Sequence, residues 1–353
     1  MQKVVAPVSP VDSWTVVDNG RHNAFTDLVY WRAAFWLAYV SSPSHFASRH
    51  SRIVLLHSTD GHVWKEAARF DGHGEDIRDP KIAVVNDRLL LIALLNHAFD
   101  PLPYQTVSAT SLDGTTWPEL KPAFPTGWLL GRPKSSERGD WFAPAHNLKT
   151  GAVQLFTSKD GLAWKAGAII SGEKGVDETA IEFLADGRLI AVTRFEAGGG
   201  VFGHPQAGTL LSVAESPYEK WTVVSLSRLT RLDSPTLFTY LEQVYAVGRR
   251  QPHISGPFGR QGSAFSRKRT SLFRVNVTGE GLTHLADLPS AGDTAYAGMA
   301  LLNGQAYISY YTSPLRADPT WLMGMLFPTS IRMGIVPLAM LEKELMESRK
   351  KEI

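Results

Sequence analysis

Apolar and polar residues alternate with a period of two in short runs along most of the chain, and turn residues separate the runs. Ala24 to Ser41 reads as strand, short turn, strand. The same pattern recurs over Ile77 to Asn96, Leu129 to Asn147, Glu178 to Arg194, Asp233 to Arg249 and Thr294 to Tyr311, giving six hairpins. Their turns fall at Arg32-Ala33-Ala34, Asn86-Asp87-Arg88, Glu137 to Asp140, Ala185-Asp186-Gly187, Tyr240-Leu241-Glu242 and Asn303-Gly304. Each hairpin except the last is followed by further short strands, so the repeating unit has four strands. Units of about 40–50 residues stacked radially make a propeller. The pattern predicts an all-β, six-bladed β-propeller of four-stranded antiparallel blades, one domain over residues 1–353. The sixth unit has fewer strands after Tyr311. Ser330 to Leu338 supplies one, and Ser13 to Val17 is placed to supply the outermost strand and close the ring. Leu341 to Lys351 reads as a short charged C-terminal helix.

A second repeat lies between the outer strands. Ser58-Thr-Asp60-Gly-His-Val-Trp64, Ser111-Leu-Asp113-Gly-Thr-Thr-Trp117 and Ser158-Lys-Asp160-Gly-Leu-Ala-Trp164 share one spelling, their aspartates 53 and 47 residues apart. Glu215 to Trp221 is a degenerate fourth copy. Asp-Gly supplies a tight turn, with Gly taking positive φ and the carboxylate accepting backbone amides. The pattern resembles the Asp-box of the sialidase superfamily. Asp60, Asp113 and Asp160 are therefore assigned a structural role.

Composition narrows the function. Formal charge is +2 from 36 Lys and Arg against 34 Asp and Glu, and no nucleic-acid motif accompanies the short basic runs. Cysteine is absent, which excludes disulfides, thiolate metal sites and cysteine nucleophiles. No leader-like apolar stretch opens the chain, and Trp321 to Leu341 is broken by Pro328, Arg332 and Pro337. The expectation is a cytoplasmic protein with no nucleic-acid or membrane partner and no cofactor. The histidines are scattered without an i, i+4 helical pair, so no metal is demanded.

In a propeller the first strand of each blade lines the tunnel, and its start shares one mouth with the end of the second strand. Those positions hold Asp27, Arg78, Asp79, Arg132, Glu178, Asp233, Asp293 and Tyr296, with His146, Arg194, Arg249 and Tyr311 from the second strands. Charges converging from several blades are costly unless they pair or bind something polar. They read either as inter-blade salt bridges or as a site.

The stretch from Glu178 through Gly187 to Arg194 resembles the sialidase segment that carries the catalytic glutamate and a carboxylate-binding arginine. Arg269-Thr-Ser resembles the segment with the last arginine of that clamp. Tyr296-Ala-Gly-Met, with Tyr310-Tyr311, resembles the stretch with the nucleophilic tyrosine. Nearly the whole chain is similar to a bacterial sialidase-like group through His22-Asn-Ala-Phe-Thr-Asp27, Arg78-Asp-Pro-Lys81 and Gly292-Asp-Thr-Ala-Tyr296. The resemblance implies an exo-glycoside hydrolase for an acidic or uronic-acid-linked sugar. Glu178 would activate Tyr296, His45 or Asp79 would protonate the leaving oxygen, and Arg78, Arg194 and Arg269 would hold a carboxylate. Asp27, Arg132, His146, Asp233, Arg249, Asp293 and Tyr311 complete the expected substrate contacts. The sequence departs from the family at Asn23 to Leu28, where alanine stands at the position of the first arginine. Two alternatives remain: a propeller polysaccharide lyase or rhamnosidase-type enzyme using His45, His146 and Tyr296, and a non-catalytic carbohydrate-binding propeller.

Overall fold

The computed structural model describes residues 11–97, 100, 102–253 and 259–350. Strands are numbered in chain order, beginning with β1 (Asp12–Val17). Blade one is β2 (His22–Trp31), β3 (Ala34–Ser42), β4 (Arg52–Ser58) and β5 (Lys65–Asp71); blade two is β6 (Asp76–Val85), β7 (Arg88–Asn96), β8 (Gln105–Ser111) and β9 (Lys121–Pro122). Blade three is β10 (Trp128–Leu130), β11 (Lys134–Ser135), β12 (Trp141–Asn147), β13 (Ala152–Ser158) and β14 (Lys165–Ser171). Blade four is β15 (Val176–Phe183), β16 (Leu189–Phe195), β17 (Gly208–Ala214) and β18 (Trp221–Ser227). Blade five is β19 (Asp233–Tyr240), β20 (Gln243–Arg250), β21 (Arg269–Val275) and β22 (Leu282–Asp287). Blade six is β23 (Thr294–Leu302), β24 (Gln305–Thr312), β25 (Ser330–Pro337) and, as its outermost strand, β1. Antiparallel pairing of β1 with β25 ties the two ends of the chain together and closes the six-bladed propeller. No helix among the described residues is long and apolar enough to cross a membrane.

The alternating pattern has a direct physical outcome. Apolar side chains of adjacent blades meet face to face: Trp36, Leu55, Ile82 and Leu91 join one cluster with residues of blades one and two, and Phe35 packs on Tyr307 of blade six, 4.7 Å between centroids. The hairpins β2–β3, β6–β7 and β19–β20 turn through Arg32-Ala33, Asn86-Asp87 and Leu241-Glu242, all with positive φ, and β23–β24 turns through Asn303-Gly304. Such paired left-handed residues match the twist of the flanking strands.

The repeated S-x-D-G-x-x-W segments all join the third strand of a blade to the fourth. In each turn one aspartate oxygen accepts two successive backbone amides and a serine hydroxyl: His62, Val63 and Ser58 on Asp60, Thr115, Thr116 and Ser111 on Asp113, Leu162, Ala163 and Ser158 on Asp160. These amides hold the Asp60 carboxyl down at about 2. The indoles of Trp64 and Trp117 donate back to the turn carbonyls of Gly61 and Gly114. A Cβ on Gly114, whose φ is 79°, would come within 2.1 Å of the Trp36 ring, whereas Gly139 at φ 83° faces open space. Gly114→Ala is expected to cost about 3 kcal/mol, combining left-handed strain with overpacking. Gly139→Ala carries the backbone part alone, about 1 kcal/mol. Urea midpoints of the two variants check the difference.

Three departures from the sequence reading have local causes. The first strand of blade three is split into β10 and β11, because Pro133 lacks an amide and Gly131 packs its Cα against Pro144. The apolar stretch after Tyr311 contains a six-residue helix, α1 (Trp321–Leu326), before β25. The C-terminal helix α2 (Leu338–Arg349) begins three residues earlier than expected, and Lys351 lies outside the described residues. Of the long segment that joins β20 to β21, residues 254–258 are also outside them. Its remainder is docked, with Ala264 bonded to Val201 and Leu322, and Ser266 to Trp321.

Candidate active site

The first strands of five blades carry a register shift at the same level: Ala24/Asp27, Arg78/Lys81, Val176/Thr179, Asp233/Thr236 and Ala295/Gly298. The extra residues are Phe25, Asp79, Asp177 and Glu178, Ser234 and Tyr296 with their neighbours. Phe25, Asp79, Ser234 and Tyr296 all have φ between 47° and 54°. A bulge re-aims side chains, and left-handed backbone at a non-glycine residue stores strain of order 1–3 kcal/mol. Four blades thus turn one residue each into the tunnel mouth at one height.

At that height the Tyr296 hydroxyl donates to Glu178 Oε1 in a short hydrogen bond. Glu178 Oε2 accepts the Ser234 amide at 2.8 Å and lies 2.8 Å from Arg194 Nη1. Arg194 forks the buried Asp177 through Nε at 2.7 Å and Nη2 at 2.5 Å. Burial pushes the Glu178 carboxyl upward, but Arg194 and Arg249 outweigh it and hold the group below its ordinary range. Burial, then the Glu178 and Asp79 charges, raise the Tyr296 phenol well above its ordinary value. The resting pair is therefore phenol and carboxylate. Asp79 stands beside them with Oδ1 buried and without a hydrogen-bond partner among the described residues. Its carboxyl is raised by burial, against the opposing pull of Lys81 and Arg78. The Lys81 ammonium lies 5.6 Å from the Tyr296 ring centroid and is lowered by burial. His146, at the end of β12, is lowered by burial despite nearby Asp177 and Glu178.

Other expected residues have internal partners. Asp27 and Arg132 are not at the mouth. They pair with each other one layer below it, and the Asp27 carboxylate also accepts the Leu28 and Ile82 amides. Asp27 thus pins blade one to blade two. Asp233 and Arg249 are 2% exposed; Asp233 accepts from Arg249 and from Arg231, which the sequence reading missed, and Arg249 also donates to the Thr294 carbonyl. Arg78 is bound to Asp76, and Arg269 forks Asp318 at 2.8 and 2.9 Å. Every arginine proposed for a carboxylate clamp therefore carries an acidic partner from the chain itself. His45 donates from Nδ1 to Asp293 at 2.6 Å, and Tyr311 and the Trp321 indole donate to the other oxygen of Asp293 at 2.9 Å each. Trp321 also covers Arg249, its ring centroid 4.1 Å from the guanidinium. Neither Trp321 nor His22, which lies 3.2 Å from Asp293, was singled out as a site residue. Each reaches the site from a distant segment, and a histidine inside the His22 to Asp27 motif was the one available signal.

A cavity of about 1490 Å³ lies elsewhere, against Ser135, Arg138, Asp140, Asp160, Asp186 and Tyr218 on the turns of blades three and four. Its charges form surface pairs such as Lys159–Asp140 and Arg188–Asp186. The buried acid, phenol and lysine cluster is at the mouth, and chemistry rather than volume identifies the site.

No protein-family profile matches the sequence, and a search of curated proteins finds no match. Solved structures do match in shape. Phage phi92 endosialidase aligns with 93% of this chain and 69% of its own at 10% identity and TM-score 0.66. A mutant of Trypanosoma rangeli sialidase displaying trans-sialidase activity aligns over 99% and 62%, at 13% identity and TM-score 0.69. Trypanosoma rangeli sialidase in complex with 2,3-difluorosialic acid, a covalent intermediate, aligns over 94% and 57% at 13% identity and TM-score 0.62. The chain spans between 57 and 69% of the length of these three. At such identities the likeness is one of fold: this chain has the six-bladed propeller architecture seen in sialidases.

Proposed function

We propose that the protein is a retaining exo-glycoside hydrolase with a tyrosine nucleophile. The observation that carries this reading is the hydrogen bond from the Tyr296 hydroxyl to the ionised Glu178 at the tunnel mouth. Tyr296 attacks the anomeric carbon while its proton passes to Glu178, and Asp79 gives its proton to the departing oxygen. Water then attacks the glycosyl–tyrosine bond, losing its proton to the Asp79 carboxylate, and Glu178 returns a proton to the phenolate. A phenol activated this way is less repelled by an acidic sugar than a carboxylate nucleophile would be. The covalent intermediate of the difluorosialic acid complex, in a protein of the same fold, accords with a two-step route.

Charge shapes the substrate. Arg194 is shared between Asp177 and Glu178, so an acidic sugar must compete with Asp177 for its fork, whereas a neutral sugar need not. The test is a parallel screen of chromogenic sialosides, uronides and neutral glycosides, followed at the chromophore and at the absorbance of an unsaturated uronide. Chromophore release from a sialoside or uronide is the expected result. Release from neutral glycosides alone removes the acidic-sugar part, and an unsaturated product replaces hydrolysis with elimination.

A further inference from the structure

His22, His45 and Asp293 come from three parts of the chain and meet beside the proposed nucleophile. His22 opens β2, His45 lies in the loop after β3, and Asp293 immediately precedes β23. One ligand-type atom from each lies within 4.8 Å of the other two. His22 Nε2 is 3.2 Å from Asp293 Oδ2, and His45 Nδ1 is 2.6 Å from the same oxygen. Ligands of a tetrahedral zinc shell with bonds of about 2.0–2.2 Å stand about 3.3 Å apart. The His22–Asp293 separation already fits, and the His45 ring needs to withdraw by about 0.7 Å from its 2.6 Å contact.

The hydrogen bonds around the three side chains are those of ligands held from behind. His22 donates from Nδ1 to the Phe327 carbonyl at 2.8 Å, which turns Nε2 inward toward Asp293. Nε2 is buried, in a residue 1% exposed, and it makes no hydrogen bond although a carboxylate oxygen is 3.2 Å away. Such a contact calls for a positive charge between the two atoms, either a proton on Nε2 or a metal ion, and metal titration distinguishes them. Asp293 is 0% exposed, and its Oδ1 is fixed by Tyr311 and Trp321, leaving Oδ2 for the cluster. A single strap, α1 and the residues after it, supplies much of this outer shell: the Trp321 indole to Asp293, the Met325 carbonyl to the His45 amide at 3.0 Å, and the Phe327 carbonyl to His22. Metal-bound histidines and carboxylates are held by such outer partners.

We propose that His22 Nε2, His45 Nδ1 and Asp293 Oδ2 bind a first-row divalent transition metal ion of the zinc class. Two imidazoles and one carboxylate suit such ions and not calcium or magnesium. Three protein ligands leave at least one coordination position for water or a sugar hydroxyl, reached from the side where His45 is 18% exposed. Phe25 separates this position from Tyr296, its ring centroid 5.2 Å from His45 and 4.6 Å from Tyr296. The sequence reading demanded no metal because no helical histidine pair exists, yet the propeller assembles a ligand set from three separate segments. The inference is independent of the hydrolase assignment.

The test is a titration of chelator-treated protein with Zn²⁺ against a chromophoric chelator, with Co²⁺ as a second probe read by its visible ligand-field bands. The expected result is one equivalent bound with a Kd of about 1 µM or tighter. His22→Gln and His45→Gln are each expected to weaken binding at least 100-fold, and Trp321→Phe, which keeps all three ligands, about 10-fold or more. If His22→Gln fails to fold, His45→Gln, on a loop, decides the matter. Absence of saturable binding at one equivalent overturns the proposal. Binding that His45→Gln leaves unchanged overturns it as well, and identifies the cluster as a protonated histidine–aspartate pair.

Discussion

Tyr296→Phe is expected to lower kcat by at least about 10³-fold on the glycoside that the wild-type protein cleaves, with little change in thermal stability. The phenyl ring keeps its place against Phe25, 4.6 Å between centroids. Glu178 loses one donor but keeps Arg194 and the Ser234 amide. Only the nucleophilic oxygen is gone, and a loss of 10³ corresponds to about 4 kcal/mol of transition-state stabilisation. Glu178→Gln retains an acceptor for Tyr296 but cannot take its proton, so it is expected to cost about 10²–10⁴-fold. The double variant should be little worse than the more damaging single one, because residues acting as a unit are not additive. Steady-state rates with matched circular dichroism spectra decide. Tyr296→Phe within tenfold of wild type would sink the nucleophile assignment.

The sequence displayed what is local. Hairpins show in the alternation, and the Asp60, Asp113 and Asp160 turns show because every hydrogen bond in them spans at most three residues. Closure by Ser13 to Val17 was legible because blade six lacked one strand. The placement of side chains at the mouth was only partly legible, since it depends on bulges. A register shift puts Tyr296, Asp79 and Glu178 at the mouth and leaves Asp27 a layer below it, yet nothing in the alternation marks the extra residue. The arginines mislead for another reason. The resemblance implied a clamp, but whether a guanidinium is free depends on acids such as Asp318 for Arg269, 49 residues away. Trp321 and Phe327 act on Asp293 and His22 from an apolar stretch that carries no chemical signature of its own.

Asp79→Asn is expected to separate substrates by leaving group. Toward glycosides of alcohols and sugars, which depart poorly without a proton, kcat should fall about 10²–10⁴-fold. Toward nitrophenyl glycosides, which need no proton, the first step should be nearly spared. The pH profile gives the sign. Asp79 must be protonated to act as the acid, and its carboxyl is raised above the ordinary range, so wild-type kcat/KM falls as pH rises through that value. Glu178 must be ionised and its carboxyl is held low, so the rate falls again only when pH drops through the lower value. On nitrophenyl substrates, which need no proton, the alkaline limb should be shallow in the wild type and absent in Asp79→Asn, while both keep the acid limb. Misfolding does not mimic this result. A carboxyl raised by folding contributes stability below its unfolded value and loses it as pH rises through the folded one, so near pH 7 folding opposes the charge that this group takes in the unfolded chain. Asparagine removes that charge and tolerates the φ of 50° at this position, so the variant is expected to be at least as stable near pH 7. If alcohol and nitrophenol glycosides lose rate equally, proton donation belongs to another group, and His45, held on Asp293, is the next to replace.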